Sequence, residues 1–107
     1  MDELFNYTIT EVTRIFNLAA KKQGLKEAKT SNVNRVFGAR IRKDSKEAAI
    51  DVVATDISVL IHLSSGPHSF KEDYVADPRT ITEVDKELPK INEFITDCFA
   101  LKLIKRN

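Results

Sequence analysis

The stretch KEAAIDVVATDISVLIHL, residues 46–63, decides how the chain is read. It carries Ile50, Val52, Val53, Thr55, Ile57, Val59 and Ile61, a density of β-branched side chains that favours strands by composition. The spacing of its polar residues points the other way. Glu47, Asp51, Thr55, Ser58, His62 and Ser65 recur at steps of four or three, which gathers them on one polar stripe of a helix and leaves nearly every other position apolar. A single strand of this length would exceed the usual limit of about 10 residues. A hairpin would have to turn at Thr55-Asp56, which lacks the residues that tolerate primed turns. Asp44-Ser45-Lys46-Glu47 spells a capping box, and Ser65-Gly66-Pro67 spells a C-terminal stop. The periodicity therefore predicts one helix over residues 46–65.

Working outward, Phe5, Ile9, Val12, Phe16 and Ala19 fall at steps of four and three and predict a helix from Asp2 to Gly24. Asp2 can accept hydrogen bonds from the first free amides, Lys21 and Lys22 suit the negative end, and Gly24 supplies the stop with Leu25 folding back. Between this helix and the central stretch, Val33, Val36, Phe37 and Ile41 fit a short helix over Ser31–Lys43 capped by Ser31 or Asn32. The alternation of Phe37, Ala39 and Ile41 with Gly38, Arg40 and Arg42 would equally suit a strand. Residues 66–80 read as the main loop, pinned by Phe70, Tyr74 and Val75. Thr80-Ile81-Thr82-Glu83 then opens a terminal helix with Val84, Leu88, Ile91, Ile95 and Cys98 at helical spacing, and Pro89 kinks or restarts it.

The fold class that follows is all-α: a single-core bundle of three long helices plus one short helix, with Phe16, Ile57 and Ile95 in its core. The alternative is α+β, with a helix, an antiparallel meander over residues 33–63, and a second helix. A length of 107 residues with 42% apolar and 31% charged residues suits one folded domain over 1–107. The lone Cys98 cannot form an internal disulfide, which points to a reducing, cytoplasmic setting. No apolar stretch has the length of a membrane span, and the acidic Met1-Asp2-Glu3 start is unlike a signal peptide.

Residues that could carry chemistry are few. Ser64-Ser65-Gly66 lacks the frame of a nucleophile elbow, and there is no glycine-rich phosphate loop with its lysine. His62 and His68 read as exposed or interface histidines, since a shared metal would need a third ligand such as Asp73. Cys98 lies on an apolar stripe and reads as a small core side chain. No catalytic residue, metal ligand or cofactor is expected, and the chain reads as non-enzymatic.

Charge is the uneven feature. Residues 14–46 hold ten Lys and Arg against Glu27 and Asp44, whereas residues 47–97 hold eleven Asp and Glu against Lys71, Arg79, Lys86 and Lys90. The densest cations, Arg35, Arg40, Arg42, Lys43 and Lys46, form a candidate polyanion-binding set. A helix-turn-helix reader could look similar, but Lys43-Asp44-Ser45 lacks the usual glycine, and Glu47 and Asp51 would repel phosphate. The function expected is a small interaction protein, a regulator, inhibitor or accessory factor that binds another macromolecule, a protein partner that could be a second copy of itself. The alternative is a nucleic-acid-binding regulator using residues 14–46, and no membrane partner is expected.

Overall fold

Helix α1 (Asp2–Lys22) forms where its stripe requires, burying Leu4, Phe5, Val12, Ile15, Phe16 and Ala20. Gly24 follows with φ 82°. Its amide donates to the Lys21 carbonyl (3.0 Å) and the Leu25 amide reaches back to Ala20 (2.9 Å), which satisfies two open carbonyls and folds Leu25 onto the core. The computed structural model describes residues 2–66 and 71–100, so the expected roles of Pro67, His68 and Phe70 lie outside the described residues.

After α1 the chain forms a five-stranded antiparallel meander in which each strand pairs with its sequence neighbours. Its strands are β1 (Lys29–Val33), β2 (Val36–Lys43), β3 (Lys46–Ala54), β4 (Val59–Ser65) and β5 (Tyr74–Ala76), and helix α2 (Ile81–Ala100) follows. The all-α bundle expected from spacing is therefore overturned. Residues 46–65 are not one helix but β3, a turn and β4, and residues 31–43 are not a short helix but most of β1 and β2. The alternative arrangement of helix, antiparallel meander and helix fits, with the meander running from Lys29 to Ala76 rather than over 33–63.

The misleading period has a physical origin. In β3, Ala48, Ile50 and Val52 are buried, while Glu47, Ala49, Asp51 and Val53 alternate onto the other face. Two of those four are apolar, so the strand's period of two is blurred, and Glu47 and Asp51 stand four apart as on a helix. The turn at Thr55 supplies what glycine or asparagine would have supplied. The Thr55 hydroxyl accepts the amide hydrogen of Ser58 (2.9 Å), and the Thr55 amide donates to the Ser58 carbonyl (2.9 Å). Asp44-Ser45 is a hairpin turn with Asp44 at φ 59°, not a helix cap.

The β1–β2 turn has both central residues in the left-handed region, Asn34 at φ 52° and Arg35 at φ 64°, the geometry whose twist matches a two-residue hairpin. Asparagine tolerates this backbone and arginine does so poorly. Arg35 is held by the Ala54 amide, which donates to its carbonyl (3.0 Å), and by its guanidinium on the Thr55 carbonyl (3.4 Å) and Asp2 (3.4 Å).

Both helices lie on the same face of the sheet, α1 against β2 and β3, α2 against β3 and β4, and against each other. Phe16, Ile41, Ile50, Ile61, Leu63, Ile91 and Ile95 fill the space between the layers. The Tyr7 hydroxyl donates to Asp85 across the helix pair. At the start of α2 the Thr80 hydroxyl accepts the Glu83 amide (3.1 Å), while the Glu83 carboxylate accepts the Arg79 amide (2.6 Å). Pro89 sits exposed within α2, which runs as one element across it. Of the expected loop anchors, Tyr74 is half-buried and its hydroxyl donates to Glu87 (2.7 Å), but Val75 is exposed.

Phe16 and Ile95 are buried as expected, whereas Ile57 is 57% exposed in the β3–β4 turn, because that segment turns instead of continuing a helix. Truncation should separate them: Phe16→Ala and Ile95→Ala should each cost about 2–5 kcal/mol in urea unfolding, and Ile57→Ala less than about 0.5 kcal/mol. Asn34→Val, which places a β-branched residue at positive φ, should cost about 1–2 kcal/mol in the same assay.

Candidate functional site

With both helices on one face, the opposite face of the sheet has no covering element among the described residues. Cross-strand register arranges this face in lines. One line is apolar: Val33 is opposite Val36, Val36 opposite Val53, and Val53 opposite Leu60, so four aliphatic side chains cross β1 to β4. Val33 is 64% exposed, Val36 42% and Leu60 37%, and Ile57 in the adjoining turn is exposed as well. The next line reads Ser31, Gly38, Asp51, His62 and Val75. A Cβ on Gly38 would come within 3.3 Å of the Asp51 carboxylate and 3.4 Å of the Ser31 hydroxyl, so these two side chains lean over the space the glycine leaves. A third line holds Lys29, Arg40, Ala49 and Ser64, and beyond it Arg42 is opposite Glu47.

The five cations singled out in the sequence are divided by this arrangement. Only Arg40 and Arg42 share the uncovered face, and Arg40 lies 3.9 Å from Glu47. Arg35 is at the far end of the same hairpin, in the β1–β2 turn. Lys43 and Lys46, which flank the β2–β3 turn, serve the helices. The Lys43 ammonium donates to the Gln23 carbonyl just after α1 (2.9 Å), and the Lys46 ammonium donates to the Phe99 carbonyl in the last turn of α2 (3.2 Å). A cation at a helix C-terminal end neutralises the partial negative charge of unsatisfied carbonyls. In place of those three, the fold brings Lys26 and Lys29 beside Arg40 and Arg42 around a cleft of about 570 Å³ that Leu25, Ile41, Glu27 and Asp44 also line.

Sequence spacing does not single out Lys29 or the apolar line, because both depend on register. A signal was present in Val33-Asn34-Arg35-Val36, where asparagine between two valines marks a two-residue hairpin and would have paired those valines. His62 is half-buried on the uncovered face and its Nε2 lies 2.9 Å from the Asp73 carboxylate. No group of three His, Cys, Asp or Glu among the described residues is placed to hold a metal. Cys98 is buried in α2, and burial pushes its thiol up to about 11, which leaves it protonated and unreactive near neutrality.

Comparison with family models, with curated proteins and with solved structures finds no match. No helix among the described residues is long and apolar enough to cross a membrane.

Among the described residues, the groups displaced from their ordinary pKa move upward: Tyr7 through its hydrogen bond to Asp85, Tyr74 through Glu87, Lys71 through Asp97, Lys90 through Tyr74, and Cys98 through burial. A group held more tightly protonated when folded contributes stability below its unfolded pKa and loses it as pH rises through the folded value. For Cys98 that window runs from 9.0 to about 11. The melting temperature should therefore fall steadily above pH 9 and fall less steeply in Cys98→Ala, as read by thermal melts at intervals from pH 8 to 11.

Proposed function

We propose that this protein is a non-enzymatic interaction module, a regulator, inhibitor or accessory factor that binds another macromolecule through the uncovered face of its sheet. The observation that supports this reading is the line Val33, Val36, Val53 and Leu60. Single aliphatic residues on a surface are ordinary, but four in cross-strand contact form a contiguous apolar strip. Covering such a strip releases about 25 cal/mol per Å² of apolar area. The polar line beside it and the cations at its far corner can fix the orientation of what covers it. The polyanion reading has less behind it. Three of its five cations lie away from the uncovered face, and among the described residues that face presents no Phe, Tyr or Trp on which a base could stack.

The reading is tested with a photo-cross-linking amino acid introduced at Leu60, or at Lys86 on the exposed surface of α2, in the cells that make the protein. The Leu60 probe should give a discrete adduct that disappears on adding Val36→Asp, and the Lys86 probe should not. Equal adducts from both positions, or none from Leu60, would remove the sheet face as the binding surface.

A further inference from the structure

We propose that the outer edge of β1 accepts an added strand from the partner, and that this strand is an extended acidic segment running antiparallel to β1 with an aliphatic residue four positions before an Asp or Glu. This rests on reading the sheet as the interaction surface, and it names the chemistry of what pairs with it.

The edge is open. β1 is the outermost strand of the sheet and all five of its residues are exposed. Its outward amides and carbonyls have no partner among the described residues. An exposed edge of this kind is a template for a further strand unless proline, a bulge or dense charge blunts it. From Lys29 to Val33 there is no proline, and the one charge is Lys29.

The cations beside this edge offer an acid ion-pairing positions that the sheet itself does not fill. Lys29 stands directly opposite Arg40 on the uncovered face, a like-charge cross-strand pair that opposes the sheet's own stability. Arg42 and Lys26 adjoin the same cleft. Glu27, Asp44, Glu47 and Asp51 line the same clefts, but Glu47 stands 3.9 Å from Arg40, beyond hydrogen-bonding distance, and Lys29 and Arg42 make no ion pair among the described residues. A carboxylate laid about 4.8 Å beyond β1, at strand spacing, would face Lys29 with Arg40 behind it.

Register then specifies the rest of the segment. Side chains of an added strand opposite Lys29, Ser31 and Val33 lie on the uncovered face, since alternate residues share a face. Opposite Val33, an aliphatic residue extends the line that Val33 and Val36 begin. Opposite Ser31, the position beside Gly38, a small residue fits. Opposite Lys29 comes the acid. The intervening positions face Thr30 and Asn32, which are exposed and polar. Antiparallel pairing, as in every ladder of this sheet, orders the segment from its N-terminus as aliphatic, polar, small, polar, acidic.

The probe is a capped, fluorescein-labelled peptide with the central sequence Ile-Thr-Ser-Thr-Glu, titrated with the whole protein at low salt and followed by anisotropy. Saturable binding is expected, with the order-reversed peptide binding more weakly. Lys29→Glu should weaken binding by about tenfold or more while the melting temperature stays level or rises, since the introduced carboxylate would face Arg40 as an opposite charge, and a peptide carrying Lys for Glu should recover binding to that variant. Two isomers of equal charge, N-methylated either on Ser and Glu or on the two Thr, separate strand pairing from charge attraction: one should keep affinity and the other lose it. Absence of binding, or equal affinity of the two isomers, overturns the proposal. So does tighter binding of a mixed-sequence oligonucleotide that Lys29→Glu abolishes, which would give the edge to nucleic acid. A dimer in light scattering that Lys29→Glu dissolves would give it to a second copy of this chain. If the peptide fails while the Leu60 cross-link persists, the edge assignment falls and the sheet-face reading stands.

Discussion

Burial of one face of the sheet beneath two helices is the constraint on which the rest of this structure depends. Ala39 and Ile41 of β2, Ala48, Ile50 and Val52 of β3, and Val59, Ile61 and Leu63 of β4 all point into that layer, where Val12, Phe16, Val84, Ile91 and Ile95 meet them. Stability is concentrated there because apolar area leaves water on that side alone. The opposite face is under no such demand. It can hold a glycine at position 38, a carboxylate at 51, and like charges at 29 and 40, each of which would be costly within the helical layer.

Electrostatics reinforces the same division. The β2–β3 turn sends Lys43 to the Gln23 carbonyl and Lys46 to the Phe99 carbonyl, so one hairpin anchors the ends of both helices. On the far flank, Lys71 reaches Asp97 at 2.7 Å and lies 5.5 Å from the Phe94 ring centre, which ties the approach to β5 onto α2. Cations that look like one cluster along the chain thus have separate tasks, and sequence proximity gave them an unearned unity. Those that share the uncovered face, Lys29, Arg40 and Arg42, are brought together by strand register.

This bears on how far the sequence could be read. Helix α1, its Gly24 and Leu25 ending, the Thr80 cap, and the burial of Phe16 and Ile95 all rest on local patterns, and local patterns were legible. The strands were not, because β3 is apolar on both faces at several positions and the turn after it uses a Thr hydroxyl where the familiar signals are Gly and Asn. A segment such as Ala48–Val53 is compatible with either period, and the layer it packs against decides between them. Of the candidate site, Arg40 and Arg42 could be named from composition. The line from Val33 to Leu60 could not, since its members are scattered over 28 positions and become neighbours only through three ladders.

The order of the strands has a consequence for how the chain reaches this structure. In a meander every ladder joins neighbours in sequence, and the β1–β2 and β2–β3 connections here are two residues long. The entropy lost in closing each of those hairpins is small and local. The contact between α1 and α2 is different in kind, because Tyr7 and Asp85 are separated by 78 residues. The helix pair therefore joins the residues farthest apart in sequence, and a sheet already formed would shorten the effective loop that the helices must close. A meander formed first would in that sense be a scaffold for the helical layer that covers one of its faces.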